Sequence, residues 1–225
     1  MDISIFDVVG PVMIGPSSSH TAGAAKLAKA ARMIVKEEFT HVSFHLHGSF
    51  AKTGKGHGTD KALVAGALGL PADDETIVKS FSLAKEQGIT FDFCQEEMEN
   101  VHENTVRILF TMKDNTVNEV VGSSIGGGQI MITQINGFVT DMSLQLPTIV
   151  ISQYDKKGVV TEVSGILTAH DINIANMKLI RRSKGDVACC IIETDEKLPE
   201  EMAQIIMENE NIVFARVINL EESYV

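Results

Sequence analysis

The spacing of apolar residues near the start of the chain predicts an amphipathic helix. From Ala24 to Val35, apolar residues recur at steps of three and four, and lysines and an arginine occupy positions between them. This is the spacing of a helix with one buried face, and the Ala-rich segment extends it to about Glu38. The helix follows a stretch, 15–21, of glycine, proline, serines, histidine and threonine. Hydroxyl side chains in that position are suited to cap a helix.

Beyond this helix, the pattern up to residue 146 predicts an α+β domain with a mostly antiparallel sheet. Segments that alternate polar and apolar side chains are typical of half-buried strands, and the dipeptide Asn136-Gly137 between two of them is a strong hairpin signal. The glycine-rich segment 48–58 is predicted to be a loop. Strands are predicted at 41–47, 105–110, 117–123, 129–135 and 138–142, and helices at 61–68 and from Asp73 or Asp74 to about Gln87.

The last third of the chain, 148–225 after Pro147, predicts a second domain. Its pattern gives the order β-α-β-β-α-β, which is the ferredoxin-like arrangement. Two helices cover one face of such a sheet, so an open apolar face or edge favours pairing with another copy of the chain. The predicted strands are 148–151, 172–180, 187–192 and 212–218, and the predicted helices are 158–170 and 200–209.

Composition and charge exclude several classes of protein. The 225 residues fit one large or two small domains, and 44% apolar with 22% charged residues is an ordinary globular balance. A net charge of −11 argues against sequence-independent binding to nucleic acid. No apolar run reaches the ~18 residues of a membrane span, and no secretory signal is expected at the start. Three cysteines, an odd number, indicate reduced thiols and a cytoplasmic protein.

The segment Ser17-Ser18-Ser19-His20-Thr21 is the first candidate site. A single serine here would be interpreted as a helix cap and nothing more. Three serines, a histidine and a threonine in a row exceed what capping needs. The free N–H groups and positive end of the following helix, together with these hydroxyls, suit a small carboxylate.

The glycine-rich segment is the second candidate, although it is not a nucleotide-binding loop. The phosphate-loop pattern requires serine or threonine after the lysine, but Gly56 follows Lys55. The glycines instead allow a tight excursion that presents Lys55 and His57 to a ligand, with a plain surface loop as the alternative. His47 precedes this segment and is expected to help line the site. Zinc binding by His45, His47 and His57 is not predicted, because no carboxylate or cysteine nearby has convincing metal spacing.

The second domain resembles an ACT domain in segments 155–163, 166–167 and 172–174. This family senses amino acids by pairing and holds its ligand near the first strand-to-helix turn. The resemblance therefore implies homodimerisation through this domain and effector contacts at Gly158 and Val159. Glycine at that turn lets a ligand approach the backbone closely.

The first domain resembles the β subunit of the two-subunit, iron–sulfur L-serine dehydratases. The resemblance is carried by segments 15–21, 47–49, 53–60 and 123–128, which include Gly15-Pro16-Ser17, His47-Gly48-Ser49 and Gly126-Gly127-Gly128. It implies conversion of L-serine to pyruvate and ammonia, with an exposed iron of a [4Fe–4S] cluster acting as the Lewis acid.

The same resemblance assigns the carboxylate of serine to the segment 17–21. We expect the binding residues to be Ser17, Ser18, Ser19, Thr21, Lys55 and His47. The catalytic candidates are His20 and His57, because histidine titrates near neutrality and is suited to orient the substrate or, as the second choice, to move a proton. The alternative for both histidines is a structural hydrogen bond that fixes a loop. Since each of the two segments is predicted to precede a helix, we expect them to meet and form one side of the serine site.

The cysteines argue that the cluster is held by a partner α subunit. A cubane cluster needs several thiolates, but Cys189 and Cys190 are neighbours on a predicted strand and point to opposite faces. Cys94 lies in the other domain. The alternative is a stand-alone amino-acid sensor without enzymatic activity, which the ACT-like domain alone would support. The hydroxyl-rich segment and His57 argue against it, because a pure sensor needs neither.

Overall fold

The computed structural model describes residues 13–220 of the chain, which divide into two units between Ser143 and Leu144. The start of the chain, where no secretory signal is expected, lies outside the described residues. Among residues 13–220, no helix is long and apolar enough to cross a membrane.

The first unit packs helices on one face of a six-stranded sheet, in the order β2-β1-β3-β4-β5-β6. All neighbouring strands are antiparallel except β1 and β2, which are parallel. The predicted α+β class with a mostly antiparallel sheet is therefore confirmed. The strands are β1 Phe39–Leu46, β2 Thr90–Gln95, β3 Thr105–Met112, β4 Val117–Gly126, β5 Gln129–Ile135 and β6 Phe138–Met142.

One α-helix of this unit precedes β1, and the other three lie between β1 and β2. A π-helical turn, Ser18–Ala22, leads directly into the first α-helix. That helix stops at Val35 rather than near Glu38, because Lys36 takes a left-handed backbone conformation with φ 57°. The α-helices are α1 Gly23–Val35, α2 Gly48–His57, α3 Thr59–Ala67 and α4 Ser80–Glu86, and a 3-10 turn spans Glu75–Lys79.

Small residues let α1 and α3 pack against each other at close range. A Cβ atom at Gly66 would lie 2.2 Å from the carbonyl oxygen of Ala25, so this position accepts only glycine. Leu27 of α1 and Leu63 of α3 are fully buried with Phe44 of β1. Burial of such side chains contributes roughly 1.5–3 kcal/mol each and fixes α1 over the sheet.

The prediction that residues 48–58 form a loop is wrong, because they form the helix α2. The glycines have positional roles instead. Gly48 has φ +53°, and a Cβ there would lie 2.6 Å from the carbonyl oxygen of Glu103. Gly54 is buried at the packing contact with Thr59, and Gly58, with φ +70°, ends α2 and begins α3. Close approach and helix termination, rather than chain flexibility, explain Gly48, Gly54 and Gly58, whereas a Cβ atom at Gly56 would meet nothing within 4 Å.

The second unit has the predicted β-α-β-β-α-β order, with an antiparallel sheet ordered β10-β7-β9-β8. The ferredoxin-like arrangement is therefore confirmed. Its core joins Ile151 of the sheet to Leu167 and Ile206 of the two helices. The elements are β7 Thr148–Tyr154, α5 Val159–Ala169, β8 Ile174–Arg181, β9 Val187–Thr194, α6 Met202–Met207 and β10 Ile212–Ile218.

Candidate functional site

His20 lies in the π-helical turn that opens α1. Ser17 caps this turn, since its hydroxyl accepts a hydrogen bond from the backbone N–H of His20 at 3.1 Å. The carbonyl of Ser17 also accepts from the backbone N–H of Thr21 at 2.9 Å. π-Helical turns occur frequently at functional sites. Ser17 thus fixes the backbone from which the His20 ring projects.

The ring of His20 is held by one face of α2. Its Nε2 lies 3.0 Å from Ser49 Oγ and 3.1 Å from Thr53 Oγ1. These two residues are four positions apart and therefore share one face of the helix. The buried ring of Phe50 meets the imidazole edge-on, with centroids 5.3 Å apart. Two hydroxyls and an aromatic edge together set the orientation of the imidazole.

His57, the last residue of α2, brings a second imidazole to the same place. The ring centroids of His20 and His57 are 4.9 Å apart, and the planes are tilted by 37°. The Nδ1 atom of His57 lies 3.1 Å from the carbonyl oxygen of Thr53. The backbone carbonyl of His57 accepts a hydrogen bond from Thr21 Oγ1 at 2.9 Å. The two candidate segments of the sequence therefore meet, as expected.

The environment of His20 favours its neutral form. Burial lowers the pKa of His20 below its ordinary value, and the adjacent His57 lowers it further, against a smaller opposing effect of a hydrogen bond with the backbone of Ser49. Histidine titrates near neutrality, so a lowered pKa leaves His20 uncharged at pH 7. An uncharged imidazole can accept a proton, which is the property required of a general base.

The remaining candidate residues of the first unit have different surroundings. Ser18 and Ser19 are partly buried in the first turn of the helix, where backbone N–H groups lack helical acceptors. Lys55 is exposed on α2. His47 is buried, and its Nδ1 accepts a hydrogen bond from the backbone N–H of Met98 at 3.1 Å. That bond anchors the segment after β2, and the contribution of His47 to substrate binding stays a prediction.

The two effector positions lie at the start of α5. Gly158 is the N-cap residue, with φ 94°. The Val159 side chain is packed in the core of the second unit, so an effector at this position would contact the backbone of Val159. Their role in effector binding stays a prediction.

Ser49 and Thr53 are residues that sequence reasoning missed as contributors to the site. Both occur in segments that carry the family resemblance, but the loop prediction for 48–58 concealed their relationship. On a helix, positions 49, 53 and 57 are spaced by four and share one face. Recognising that spacing as helical would have placed both hydroxyls beside His57.

The cysteines do not fit an iron–sulfur cluster on this chain. Cys94 is exposed on β2, whereas Cys189 and Cys190 are buried neighbours on β9. Burial raises the pKa of Cys189 to about 11 and that of Cys190 to about 12, which disfavours the thiolate that ligation requires. Within residues 13–220, no group of three or more histidine, cysteine or acidic side chains is placed to hold a metal ion.

The chain resembles characterised proteins along nearly its whole length. The family described as serine dehydratase beta chain matches residues 4–134. The L-serine dehydratase beta chain of Peptoniphilus asaccharolyticus is 40% identical, over 97% of this chain and 99% of its own. The probable L-serine dehydratase beta chain of Bacillus subtilis strain 168 is 39% identical, over 93% and 95%.

Among solved structures, the ACT domain from the GTP pyrophosphokinase of Chlorobium tepidum covers 35% of this chain and 90% of its own, with 17% identity and a TM-score of 0.27. The family match extends over more than half of the chain, and the relative from Peptoniphilus asaccharolyticus is covered almost completely. This chain therefore belongs to the serine dehydratase beta chain family.

Proposed function

We propose that this chain is the β subunit of a two-subunit L-serine ammonia-lyase that converts L-serine to pyruvate and ammonia. Membership of the beta chain family supports the proposal, since a beta chain implies a partner α subunit. The observation that carries it is the pair of imidazoles, His20 and His57, set 4.9 Å apart among three hydroxyl groups. A protein that only sensed amino acids through its second unit would not need this arrangement.

The start of the first helix binds the carboxylate of the substrate. The positive end of a helix and its free N–H groups attract an anion, and Ser18 and Ser19 add hydroxyls in the same turn. Ser17 and Thr21 support this turn through their own hydrogen bonds. Lys55, exposed on α2, adds a positive charge on the helix that also carries His57.

The histidine pair handles the proton that leaves the substrate carbon. The overall reaction removes the Cα proton and the hydroxyl of serine as water, and the resulting aminoacrylate takes up water to give pyruvate and ammonia. His20 is neutral at pH 7 because its pKa is lowered, so it is available to accept a proton. His57, beside it, is placed to orient the substrate or to exchange that proton.

The partner α subunit holds the [4Fe–4S] cluster. The cysteines of this chain support this assignment. Cys94 is exposed and stands alone, whereas Cys189 and Cys190 are buried and have raised pKa values. The second unit is an ACT-type domain that pairs with a second copy of the chain. Its edge strand β8 supports this pairing, because most of its side chains are exposed and no strand within residues 13–220 pairs with its outer edge.

Purification of the chain with and without its α subunit tests the proposal. We expect pyruvate to form from L-serine only when both chains are present, and iron and sulfide to be found with the α subunit alone. Pyruvate formation by this chain alone would contradict the proposal, as would a stoichiometric cluster on it after anaerobic reconstitution. Amino-acid binding without any lyase activity of the complex would favour the stand-alone sensor instead.

A further inference from the structure

We propose that Thr53 sets the tautomers of both histidines, through two different atoms, and thereby leaves Nδ1 of His20 and Nε2 of His57 as the nitrogens that accept a proton. The inference rests on the proposed function, because it assigns which nitrogen of each imidazole is free to accept the substrate proton. Thr53 is a positioning residue in this scheme, since it acts on the substrate only through the two histidines.

The tautomer of His57 follows from the carbonyl group of Thr53. A backbone carbonyl oxygen accepts hydrogen bonds and cannot donate one. Because the Nδ1 atom of His57 lies 3.1 Å from this oxygen, Nδ1 must carry the hydrogen. A neutral imidazole has a single N–H group, so the lone pair of His57 is on Nε2.

The tautomer of His20 follows from the side chain of the same residue. The Thr53 hydroxyl donates its only proton to the carbonyl oxygen of Ser49, at 2.9 Å. Its oxygen is then an acceptor towards the Nε2 atom of His20, which lies 3.1 Å away. A lone pair on that nitrogen would face a lone pair on the hydroxyl, so Nε2 must carry the hydrogen.

The Ser49 hydroxyl is compatible with this assignment. Its oxygen lies 3.0 Å from the same Nε2 of His20 and can share the N–H group with Thr53. Ser49 Oγ also lies 3.3 Å from Thr53 Oγ1, and either oxygen can donate at that contact, so the Ser49 hydroxyl can serve either tautomer. The Thr53 proton, which is donated to the Ser49 carbonyl oxygen, decides between them. The lone pair of His20 is therefore on Nδ1.

The assignment defines what each imidazole does when it takes the Cα proton. The proton adds to Nε2 of His57 or Nδ1 of His20, and the pre-existing N–H group on the other nitrogen stays bonded to Thr53. In His57 the new positive charge is stabilised through the carbonyl oxygen already in contact with Nδ1. The proton-accepting atoms are thus oriented before substrate binds.

Long-range ¹H–¹⁵N spectra of the ¹⁵N-labelled full chain test the assignment, at about pH 8 so that histidines are neutral. We expect His57 in the Nδ1–H form and His20 in the Nε2–H form. His170 is a matched reference, because its Nδ1 lies 2.8 Å from the carbonyl oxygen of Ile166 at the end of α5. An Nε2–H form of His57, or an Nδ1–H form of His20, would overturn the assignment.

The variants Thr53→Val and Thr53→Ser separate the hydroxyl from the backbone. Valine keeps the shape but removes the acceptor, so His20 should shift towards a mixture of tautomers while His57 and His170 stay unchanged. Serine should restore the Nε2–H form of His20. A Thr53→Val spectrum identical to that of the original chain would contradict the role of the hydroxyl.

Assays of the assembled two-subunit enzyme distinguish failure of this inference from failure of the proposed function. We expect Thr53→Val to lower kcat about tenfold with little change in KM, and Thr53→Ser to retain activity. If His20→Ala and His57→Ala both retain full activity, the proposed function fails whatever the spectra show. If both lose activity while Thr53→Val behaves as the original enzyme, only the role of Thr53 is wrong.

Discussion

The buried hydroxyl of Thr21 donates a hydrogen bond of 2.9 Å to the carbonyl oxygen of His57, 36 positions further along the chain. Thr21 belongs to the turn that carries His20, and His57 ends α2. One side-chain bond therefore joins the two segments that carry the imidazoles. Its loss would leave the carbonyl without this partner and loosen the relative position of the two rings.

Replacing Thr21 with valine tests this connection. Valine has nearly the same shape but no donor, so we expect the first unit to lose about 1–2 kcal/mol of stability. Urea denaturation of the full chain measures the change, and Thr21→Ser, which keeps the hydroxyl, is the control. Equal stability of the valine and serine variants would mean that the bond does not hold the two segments together.

Gly23 is expected to tolerate no side chain, because a Cβ atom there would lie 2.0 Å from the Ser124 hydroxyl. Ser124 is fully buried, and a Cβ atom at Gly23 would also lie 2.8 Å from the Ser124 Cβ, so rotation of the hydroxyl alone does not remove the clash. We expect Gly23→Ala to cost about 1–3 kcal/mol by overpacking. Gly56→Ala is the matched control, since nothing lies within 4 Å of that position on α2.

The same pair provides an internal check by double substitution. Replacing Ser124 with glycine should relieve much of the cost of Gly23→Ala, whereas it should have no such effect on Gly56→Ala. Denaturation midpoints of the three single variants and the two double variants measure this coupling. A Gly23→Ala variant as stable as Gly56→Ala would show that the close contact is absent in solution.

The lowered pKa of His20 predicts a specific pH dependence. Because the folded-state pKa lies below the ordinary value of 6.5, the contribution of His20 to stability is complete above that value and is lost as the pH falls through the folded-state pKa. NMR titration should show His20 protonating at a pH below its ordinary value of 6.5. His57→Ala should raise the pKa of His20, because it removes the second cause of the shift.

Two results would contradict this explanation. One is a His20 pKa at or above its ordinary value in the folded chain. The other is a His57→Ala variant in which the His20 pKa does not change. The other charged residues of these helices are Lys52 and Lys55 of α2 and Asp60 and Lys61 of α3, and single neutral substitutions can exclude them as causes of the shift.

Self-association is predicted to use the edge strand β8 of the second unit. Leu179 on this strand is 43% exposed, although it is apolar. We expect Leu179→Lys to shift the full chain from dimer to monomer in sedimentation velocity, because a charge on an edge opposes strand pairing. Val139→Lys, on β6 of the first unit and 69% exposed, is the control. A dimer unaffected by Leu179→Lys would exclude this edge.

Local sequence patterns correctly predicted the hairpin at Asn136-Gly137 and the order of elements in the second unit. The hairpin at Asn136-Gly137 has both residues in the left-handed region, as that dipeptide predicts. In the second unit, β7 and β9 place alternate residues in the core with the helices, although both strands are buried along nearly their whole length. These features depend on neighbours within a few positions, so the sequence alone predicts them.

The helix α2 and the parallel strand β2 could not be predicted in the same way. Glycine-rich composition normally argues against a helix, and Gly48 and Gly54 are explained only by contacts with Glu103 and Thr59. For the site, His20 and His57 stood out by residue type and motif. The hydroxyls that orient them did not, because their positions depend on α2 being a helix.

The central claim is that the His20 and His57 pair acts on L-serine within the two-subunit enzyme. The most direct test is pyruvate formation by complexes that contain His20→Ala, His57→Ala or the control His170→Ala, with assembly checked by sizing. We expect kcat/KM to fall at least about tenfold for each of the first two, equivalent to ~1.4 kcal/mol, and to stay unchanged for the control. Full activity of both site variants in assembled complexes would contradict the claim.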